Sequence, residues 1–202
     1  MKKITLQLLY IVPSLLHAQA DTVFYEQGGI KHITQPHDSG VSKTYFYPTG
    51  EISAKLRYTQ DLLDGRQEYF HPNGQLAALE NWSQGLQEDS SSYFYPNGRL
   101  EKKGLFKEGL YHQQWIFGYD NGQTKRIGEY QDGLPSGEWT FFYEDGAVWQ
   151  TGHFKEGKES GLWTFYEAGS KTYEGQFSDG QRVGQWFKFD KKGKRKPWKN
   201  FK

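Results

Sequence analysis

The chain has 202 residues, of which 24 are glycine, 35 are aromatic and none is cysteine, and its formal net charge is +1. Without cysteine there is no disulfide scaffold, thiolate zinc site, cysteine nucleophile or lipid-modified cysteine. Glycine is well above its average share of about 7%, and aliphatic residues are few, which argues against a helix-rich α/β enzyme.

The first 20 residues have the three parts of a cleavable secretory signal. Met1, Lys2 and Lys3 precede a mostly apolar stretch that ends at Leu16, and residues 18–20 read Ala-Gln-Ala. This pattern predicts export to the bacterial periplasm or beyond. The apolar run is shorter than the roughly 20 residues that span a bilayer, and the alternative is an uncleaved amphipathic anchor.

Residues 21–41 form a lead-in segment that is too short to be a catalytic domain. Its two histidines, His32 and His37, suggest a metal ligand or a general base. A periplasmic hydrolase that uses either histidine is therefore one functional hypothesis. Their five-residue spacing fits neither a helical pair nor a usual strand pair, so we expect no metal site. Glu80 stands where other repeats have glycine and is expected to be exposed, but a lone carboxylate is not an acid/base pair. The sequence therefore predicts no enzyme and no cofactor.

An internal repeat of about 24 residues organises residues 42–190. Turn glycines recur at a spacing of 24 residues, with one interval of 23: Gly50, Gly74, Gly98, Gly122, Gly146, Gly169 and Gly193. Further glycine series follow the same period, which identifies a tandem repeat.

Each repeat reads as a two-stranded hairpin. In the fifth copy Trp139, Phe141 and Tyr143 alternate with polar residues, as in a strand, and an Asp-Gly turn follows. In the second half of the copy, Val148 and Phe154 are an even number of residues apart and are expected on one face. Because one hairpin alone is marginal in water, we expect stacked hairpins. The fold class is thus all-β: an elongated antiparallel sheet of tandem β-hairpins, with about 13 strands spanning about 60 Å.

The recurrent aromatic residues have two interpretations. A ring can lie flat over a bare glycine and serve packing alone, or the rings can form an exposed surface for a partner. The partner-binding candidates are Trp115, Trp139, Trp163, Trp186, Tyr119 and Tyr143. Phe70, Phe94 and Phe142 are apolar on the other side, so either the sheet curls on itself or a second layer comes from a partner or another copy.

Charge is divided between an acidic body and a basic tail, residues 191–202. Residues 21–190 hold 16 basic and 24 acidic residues, a net charge of −8. The tail is either a solvated end or a site that docks to an anionic membrane or glycopolymer. The docking candidates are Lys191, Lys192, Lys194, Arg195, Lys196 and Lys199. The acidic body disfavours nucleic acid as a partner.

The unit Gly-x-Trp-x-Phe-Tyr-x-x-x-Gly…Gly-x-Phe-x-x-Gly resembles the MORN repeat, and more closely its bacterial variant in the YwqK-type antitoxin family. The resemblance covers about residues 42–193, although Gln67 and Ser91 replace the tryptophan in early copies. It implies a hairpin sheet with a binding role. YwqK-like proteins are regarded as antitoxin or immunity partners of toxins, and MORN repeats elsewhere are linked to membrane attachment and scaffolding.

Together these features predict a non-enzymatic, exported protein-binding repeat protein, most specifically one that neutralises a toxin. The export signal favours a toxin that acts in the periplasm. The alternative is an envelope scaffold or adaptor that docks to membrane or cell-wall polymer through its basic tail.

Overall fold

The computed structural model describes residues 20–202, and these form one β-sheet. The predicted signal falls outside the described residues, apart from Ala20. Among the described residues, no helix is long and apolar enough to cross a membrane. The strands are β1 (Asp21–Phe24), β2 (Ile30–His37), β3 (Gly40–Phe46), β4 (Ile52–Thr59), β5 (Leu62–Leu63), β6 (Gly65–Phe70), β7 (Leu76–Ser83), β8 (Leu86–Gln87), β9 (Asp89–Phe94), β10 (Leu100–Lys107), β11 (Leu110–Gly118), β12 (Thr124–Gln131), β13 (Leu134–Phe142), β14 (Val148–Lys155), β15 (Lys158–Glu167), β16 (Ser170–Ser178), β17 (Gln181–Phe189) and β18 (Arg195–Phe201).

The strands follow one another across the sheet in chain order, and each pairing is antiparallel. Strands β5 and β6 both pair with β4, and β8 and β9 both pair with β7. Each two-residue strand therefore lies in line with the longer strand that follows it. Counted this way, β3 to β17 are 13 strands, as the repeat predicts. The lead-in segment adds β1, β2 and the start of β3, and the basic tail adds β18, so the sheet extends about 70 Å across its strands.

The turn glycines have the left-handed backbone conformation that the hairpin prediction requires. Gly50, Gly98 and Gly146 have φ values of 101°, 80° and 88°, a region that other L residues enter only with strain. In each of these turns the glycine N–H donates to the carbonyl three residues earlier, as in Gly146 to Tyr143 at 3.0 Å.

A β-bulge near the tight turn of each hairpin corrects the expected distribution of side chains. In β13 and β14, Phe141 pairs with Gln150 but Phe142 pairs with Val148, so one extra residue is inserted. Val148 therefore shares a face with Phe142, and not with Phe154 as the even spacing predicted. We call the face that carries the tryptophans the ladder face, and the other side the opposite face.

The apolar residues of the opposite face are half-buried by each other. Phe70 and Phe94 pair across strands with Leu76 and Leu100, as Phe142 does with Val148. Within the described residues no second layer covers them, because the whole of residues 21–201 runs through one sheet.

Candidate functional site

The tryptophans of the repeat lie flat over glycines of the preceding strand. The indole of Trp139 covers Gly128, and that of Trp163 covers Gly152, so closely that any Cβ at these glycines would overlap the ring. Each indole N–H also donates to the carbonyl ten residues earlier, as in Trp163 to His153 at 3.2 Å. Tryptophan at this position therefore buries its ring without leaving its polar atom unpaired.

Nine rings continue this packing from β10 to β18. Consecutive ring centroids are 5.1 to 6.5 Å apart and interplanar angles are 61–85°, the edge-to-face arrangement that aromatic pairs favour. The members of this aromatic ladder are Phe106, Trp115, Tyr130, Trp139, Phe154, Trp163, Phe177, Trp186 and Phe201.

The ladder is the core of β10 to β18, and of the two interpretations of the recurrent tryptophans it favours packing over an exposed surface. Trp115, Trp139, Trp163 and Trp186 have exposed fractions of 0%, 3%, 2% and 1%. The rings of neighbouring strands close around each indole, so that a sheet one layer thick still buries it. A partner role for these four residues stays a prediction, and their burial disfavours direct contact.

Two early repeats replace the glycine–tryptophan pair. In one of them, Glu80 and Ser91 stand at the positions that Gly104 and Trp115 occupy in a later repeat. The large side chain therefore belongs to the first strand of the pair and not to the second. Glu80 is only 8% exposed, which corrects the expectation that it lies on a surface. Its carboxylate accepts hydrogen bonds from Trp82 Nε1 at 2.9 Å and from the Tyr93 hydroxyl at 2.8 Å.

Burial raises the pKa of the tyrosines around this carboxylate. For Tyr69 the pKa is about 12, chiefly because of burial and secondly because of the negative charge of Glu80. Burial and the hydrogen bond to Glu80 likewise raise the pKa of Tyr93. The Tyr93 hydroxyl therefore donates to a buried carboxylate and joins β9 to β7, while the rings of Tyr69 and Tyr93 are themselves half-buried.

In the repeat that precedes it, Gln67 takes the place of the tryptophan. Its side-chain amide is fully buried and bonds both the N–H and the carbonyl of Arg57, at 2.7 and 3.2 Å. The amide thus donates to the carbonyl ten residues earlier, which is the acceptor that the indole N–H uses in later repeats.

Tyr119 and Tyr143, the other partner-binding candidates, connect one hairpin to the next. Each hydroxyl donates to a carbonyl 23 residues later: Tyr119 to Phe142 at 2.9 Å and Tyr143 to Tyr166 at 3.0 Å. Tyr119 is half-buried, whereas 37% of Tyr143 is exposed. Only Tyr143 therefore combines its structural bond with an accessible ring.

An aromatic cleft on the ladder face brings Tyr143 together with residues that sequence reasoning missed. Two exposed pairs of rings flank it: Tyr143 with Trp149, 6.2 Å apart, and Tyr173 with Trp198, 4.8 Å apart. Each of the four rings is 37–43% exposed. The cavity between them has a volume of about 330 Å³, which is within the range of ligand pockets.

The floor of the aromatic cleft and its arginine come from the last two hairpins. Phe165 and the buried Trp186 form the floor, and the guanidinium carbon of Arg182 lies 4.6 Å from the Trp186 ring centroid. The missed residues had one sequence signal, because Trp149 and Trp198 are tryptophans that fall outside the 24-residue period.

The basic residues of the tail are exposed, but two of them are paired within the chain. Arg195 lies 2.7 Å from a carboxylate oxygen of Glu174, and Lys196 lies 2.9 Å from Asp190. The hydrogen bonds to Asp190, that from Lys196 first, lower the pKa of its carboxyl. Within residues 20–202 the other candidates, Lys191, Lys192, Lys194 and Lys199, have no carboxylate within 4.0 Å.

His32 and His37 are not brought together. His32 pairs with Tyr45 on the ladder face, and its ring centroid is 5.2 Å from that of Tyr45. His37 lies five residues along the same strand, hence on the opposite face, and its Nδ1 is 3.2 Å from the Ser39 hydroxyl. In the described part of the chain, no group of three potential ligands is placed to hold a metal ion.

Comparison with known families identifies the repeat. Residues 63–84, 90–108 and 135–156 match the model of the MORN repeat variant. Each segment is one hairpin of the sheet, with its tight turn in the middle, and the resemblance of the repeat unit to MORN repeats is confirmed. A comparison with curated proteins finds no match. The chain is thus a tandem array that contains MORN-type repeats, a class often involved in binding.

Proposed function

We propose that this chain is a non-enzymatic binding protein that holds a partner protein at the aromatic cleft. The observation that carries the proposal is the pair of exposed tryptophans, Trp149 and Trp198, on either side of a cavity whose floor is formed by Phe165 and the buried Trp186. Tryptophan, tyrosine and arginine are the residues that most often dominate protein interfaces, and all three line this cleft. A preformed cleft also loses little conformational entropy on binding.

The specific form that we propose is an antitoxin or immunity protein whose partner is a toxin. Its support is the resemblance of the repeat unit to YwqK-type antitoxins, together with the signal-like residues 1–20, which favour a toxin that acts in the periplasm. Neutralisation requires tight association and no chemistry, which suits a sheet with a closed core and an open aromatic cleft.

The test is affinity capture from the native cells, with the full chain carrying a tag after a flexible C-terminal linker. Mass spectrometry of the bound material is expected to identify one stoichiometric protein that is toxic when it is produced without this chain. The double variant Trp149→Ala/Trp198→Ala is expected to weaken its binding at least about tenfold, or about 1.4 kcal/mol.

The matched control is Leu162→Ala, because Leu162 is 52% exposed and lies on the opposite face of the same region. This variant should bind the partner normally. Equal binding by the double tryptophan variant would remove the cleft from the proposal, and a partner that is harmless on its own would remove the antitoxin role.

A second candidate function is an envelope adaptor, favoured by the exposed turn lysines Lys191, Lys192 and Lys194 and by the exposed ring of Trp198 in the same tail. Vesicles that contain anionic lipid should bind the chain in a salt-sensitive manner, and the triple Lys→Gln variant of the turn should lose this binding. Replacing Lys103, Lys155 and Lys158 by glutamine is the control for charge alone. Binding to neutral vesicles, or equal loss in both triple variants, contradicts the adaptor.

A further inference from the structure

Four half-exposed leucines form a row along one edge of the sheet. Each is the first residue of a strand that follows a loop: Leu62, Leu86, Leu110 and Leu134, with exposed fractions of 47%, 51%, 49% and 50%. The row ends there, because Lys158 and Gln181 take the same position in later repeats. We propose that this leucine row is a second docking surface, which receives a basic amphipathic helix of a partner protein.

The leucine row is separate from the aromatic cleft. Leu110 precedes Tyr111, whose ring lies 4.0 Å from that of Trp115 on the ladder face. Successive side chains of a strand point to opposite faces, so Leu110 and its equivalents lie on the opposite face. A partner at this row therefore does not compete with one at the cleft.

The spacing of the row is fixed by bonds between successive loops. Gly109 N donates to the carbonyl of Gln87 at 2.9 Å, and Gly133 N donates to that of Tyr111 at 3.1 Å. Each leucine also lies against the glycine of the next loop, as Leu110 does at Gly133. Because the leucines occupy every second strand, neighbours are about 9.6 Å apart.

This spacing fits an α-helix laid along the row. Two turns of helix, or seven residues, advance about 10.5 Å, so a side chain at every seventh position meets successive leucines with a small cumulative offset. Each half-exposed leucine would remove further apolar surface from water against the helix, and the four leucines together give it a continuous apolar contact.

The loops at the same edge are acidic, which favours a partner with positive charge. Residues 59–64, 83–89, 107–111 and 131–136 contain six acidic residues and one basic residue, Lys107. The acidic residues are Asp61, Asp64, Glu88, Asp89, Glu108 and Asp132. A second copy of this chain would bring two acidic edges together, which is unfavourable, whereas lysines or arginines beside the apolar stripe of a helix are attracted.

The test uses a synthetic helical peptide of about 29 residues with leucine at every seventh position, lysine on either side of the leucine stripe and alanine elsewhere. Its binding to the full chain is measured by fluorescence anisotropy at low and high salt. We expect saturable binding that weakens with salt, and at least about tenfold weaker binding to the variant Leu86→Ser/Leu110→Ser.

Three controls make the outcome decisive. Leu162→Ser removes an equally exposed leucine outside the row and should leave the affinity within about twofold of that of the parent chain. A scrambled peptide of the same composition and a peptide with glutamate in place of lysine should bind poorly. Equal binding of the scrambled peptide, equal binding to the double leucine variant, or self-association of the chain through Leu86 and Leu110 would overturn the proposal.

Discussion

A glycine and a tryptophan eleven residues apart are the smallest unit that stabilises this protein. The absent side chain of Gly152 provides the space in which the indole of Trp163 lies, and the carbonyl of the next residue, His153, accepts its N–H. Burying so large a ring is among the most favourable contributions that one residue can make. A sheet without a second layer obtains its core in this way.

Gly152→Ala is expected to destabilise the protein by about 3 kcal/mol, because a methyl group would overlap the indole of Trp163 and displace it. Urea unfolding followed by tryptophan fluorescence measures the change. Gly50→Ala is the control, since its φ is 101° and nothing lies within 4 Å of its Cβ position, so only backbone strain of about 1 kcal/mol is expected. Equal losses in both variants would contradict the packing role of Gly152.

Glu80 and Ser91 should behave as one exchanged unit. Ser91→Trp alone is expected to destabilise the protein because Glu80 fills the space, and Glu80→Gly alone because Trp82 and Tyr93 lose their acceptor. The double variant restores the pair found in later repeats and should recover the steric part of the loss, although Trp82 and Tyr93 still lack their acceptor. A double-mutant cycle is expected to give a coupling energy of about 2 kcal/mol, and additive effects would contradict the exchange.

The raised pKa of Tyr69, about 12, makes stability depend on pH in the alkaline range. The phenol keeps its proton in the folded state but releases it in the unfolded state above a pKa of about 10. The free energy of unfolding should therefore fall as the pH rises from about 10 to about 12. Urea midpoints across this range should fall less steeply in Tyr69→Phe than in the parent chain, and equal slopes in the two proteins would contradict the role of Tyr69.

At the scale of the element, each hairpin is bonded to the next at both ends. Near the tight turns a side chain donates to a carbonyl 23 residues later, as Tyr119 does to Phe142. At the other edge a loop glycine, such as Gly133, donates to a carbonyl of the preceding hairpin. Together with the strand ladder these bonds fix the angle between neighbouring hairpins, so the aromatic cleft and the leucine row are rigid surfaces.

His71 takes part in the same contact as the tyrosines, because its Nε2 lies 2.7 Å from the carbonyl of Phe94. His71→Tyr is therefore expected to preserve stability, and His71→Phe to lower it by about 1 kcal/mol, as Tyr119→Phe also should. Thermal unfolding followed by circular dichroism checks the order of these variants. If His71→Phe is as stable as His71→Tyr, the contact of His71 with the Phe94 carbonyl does not stabilise the protein and the ring serves packing alone.

At the scale of the whole molecule, stability is a sum of neighbouring contacts. Within residues 20–202, every strand pairing joins strands that are close in sequence, and none connects the two ends of the sheet. Repeat proteins of this kind gain stability from each repeat and each interface between repeats.

Deleting residues 123–146, one whole repeat, should leave a folded protein, because the new junction joins Gly122 to Ala147 as Gly146 did. Circular dichroism should keep its β-sheet form, and the urea m-value should fall in proportion to the residues removed. Deleting residues 135–146 instead removes only one strand of the hairpin, reverses the following strands and is expected to prevent folding. A folded half-repeat deletion would contradict the hairpin as the unit.

The sequence by itself determined the repeat, its length, the hairpins and the 13 strands of the repeat region. Those features follow from local rules: alternation along a strand and glycine at turns of positive φ. It also contained, as one of two interpretations, the packing of tryptophan on glycine. The tertiary structure decided between them, because exposure depends on neighbouring strands that a single repeat does not specify.

Only the tertiary structure could assign faces and assemble the aromatic cleft. One bulge residue per hairpin moved Val148 to the opposite face, since an inserted residue reverses an alternation that the sequence reads as continuous. Trp149 and Trp198 are 49 positions apart in the sequence, and the five strands from β14 to β18 must pair in order before both residues reach one cavity. Local sequence patterns therefore determine the strands and turns, whereas the exposed surfaces depend on the register in which the strands pair.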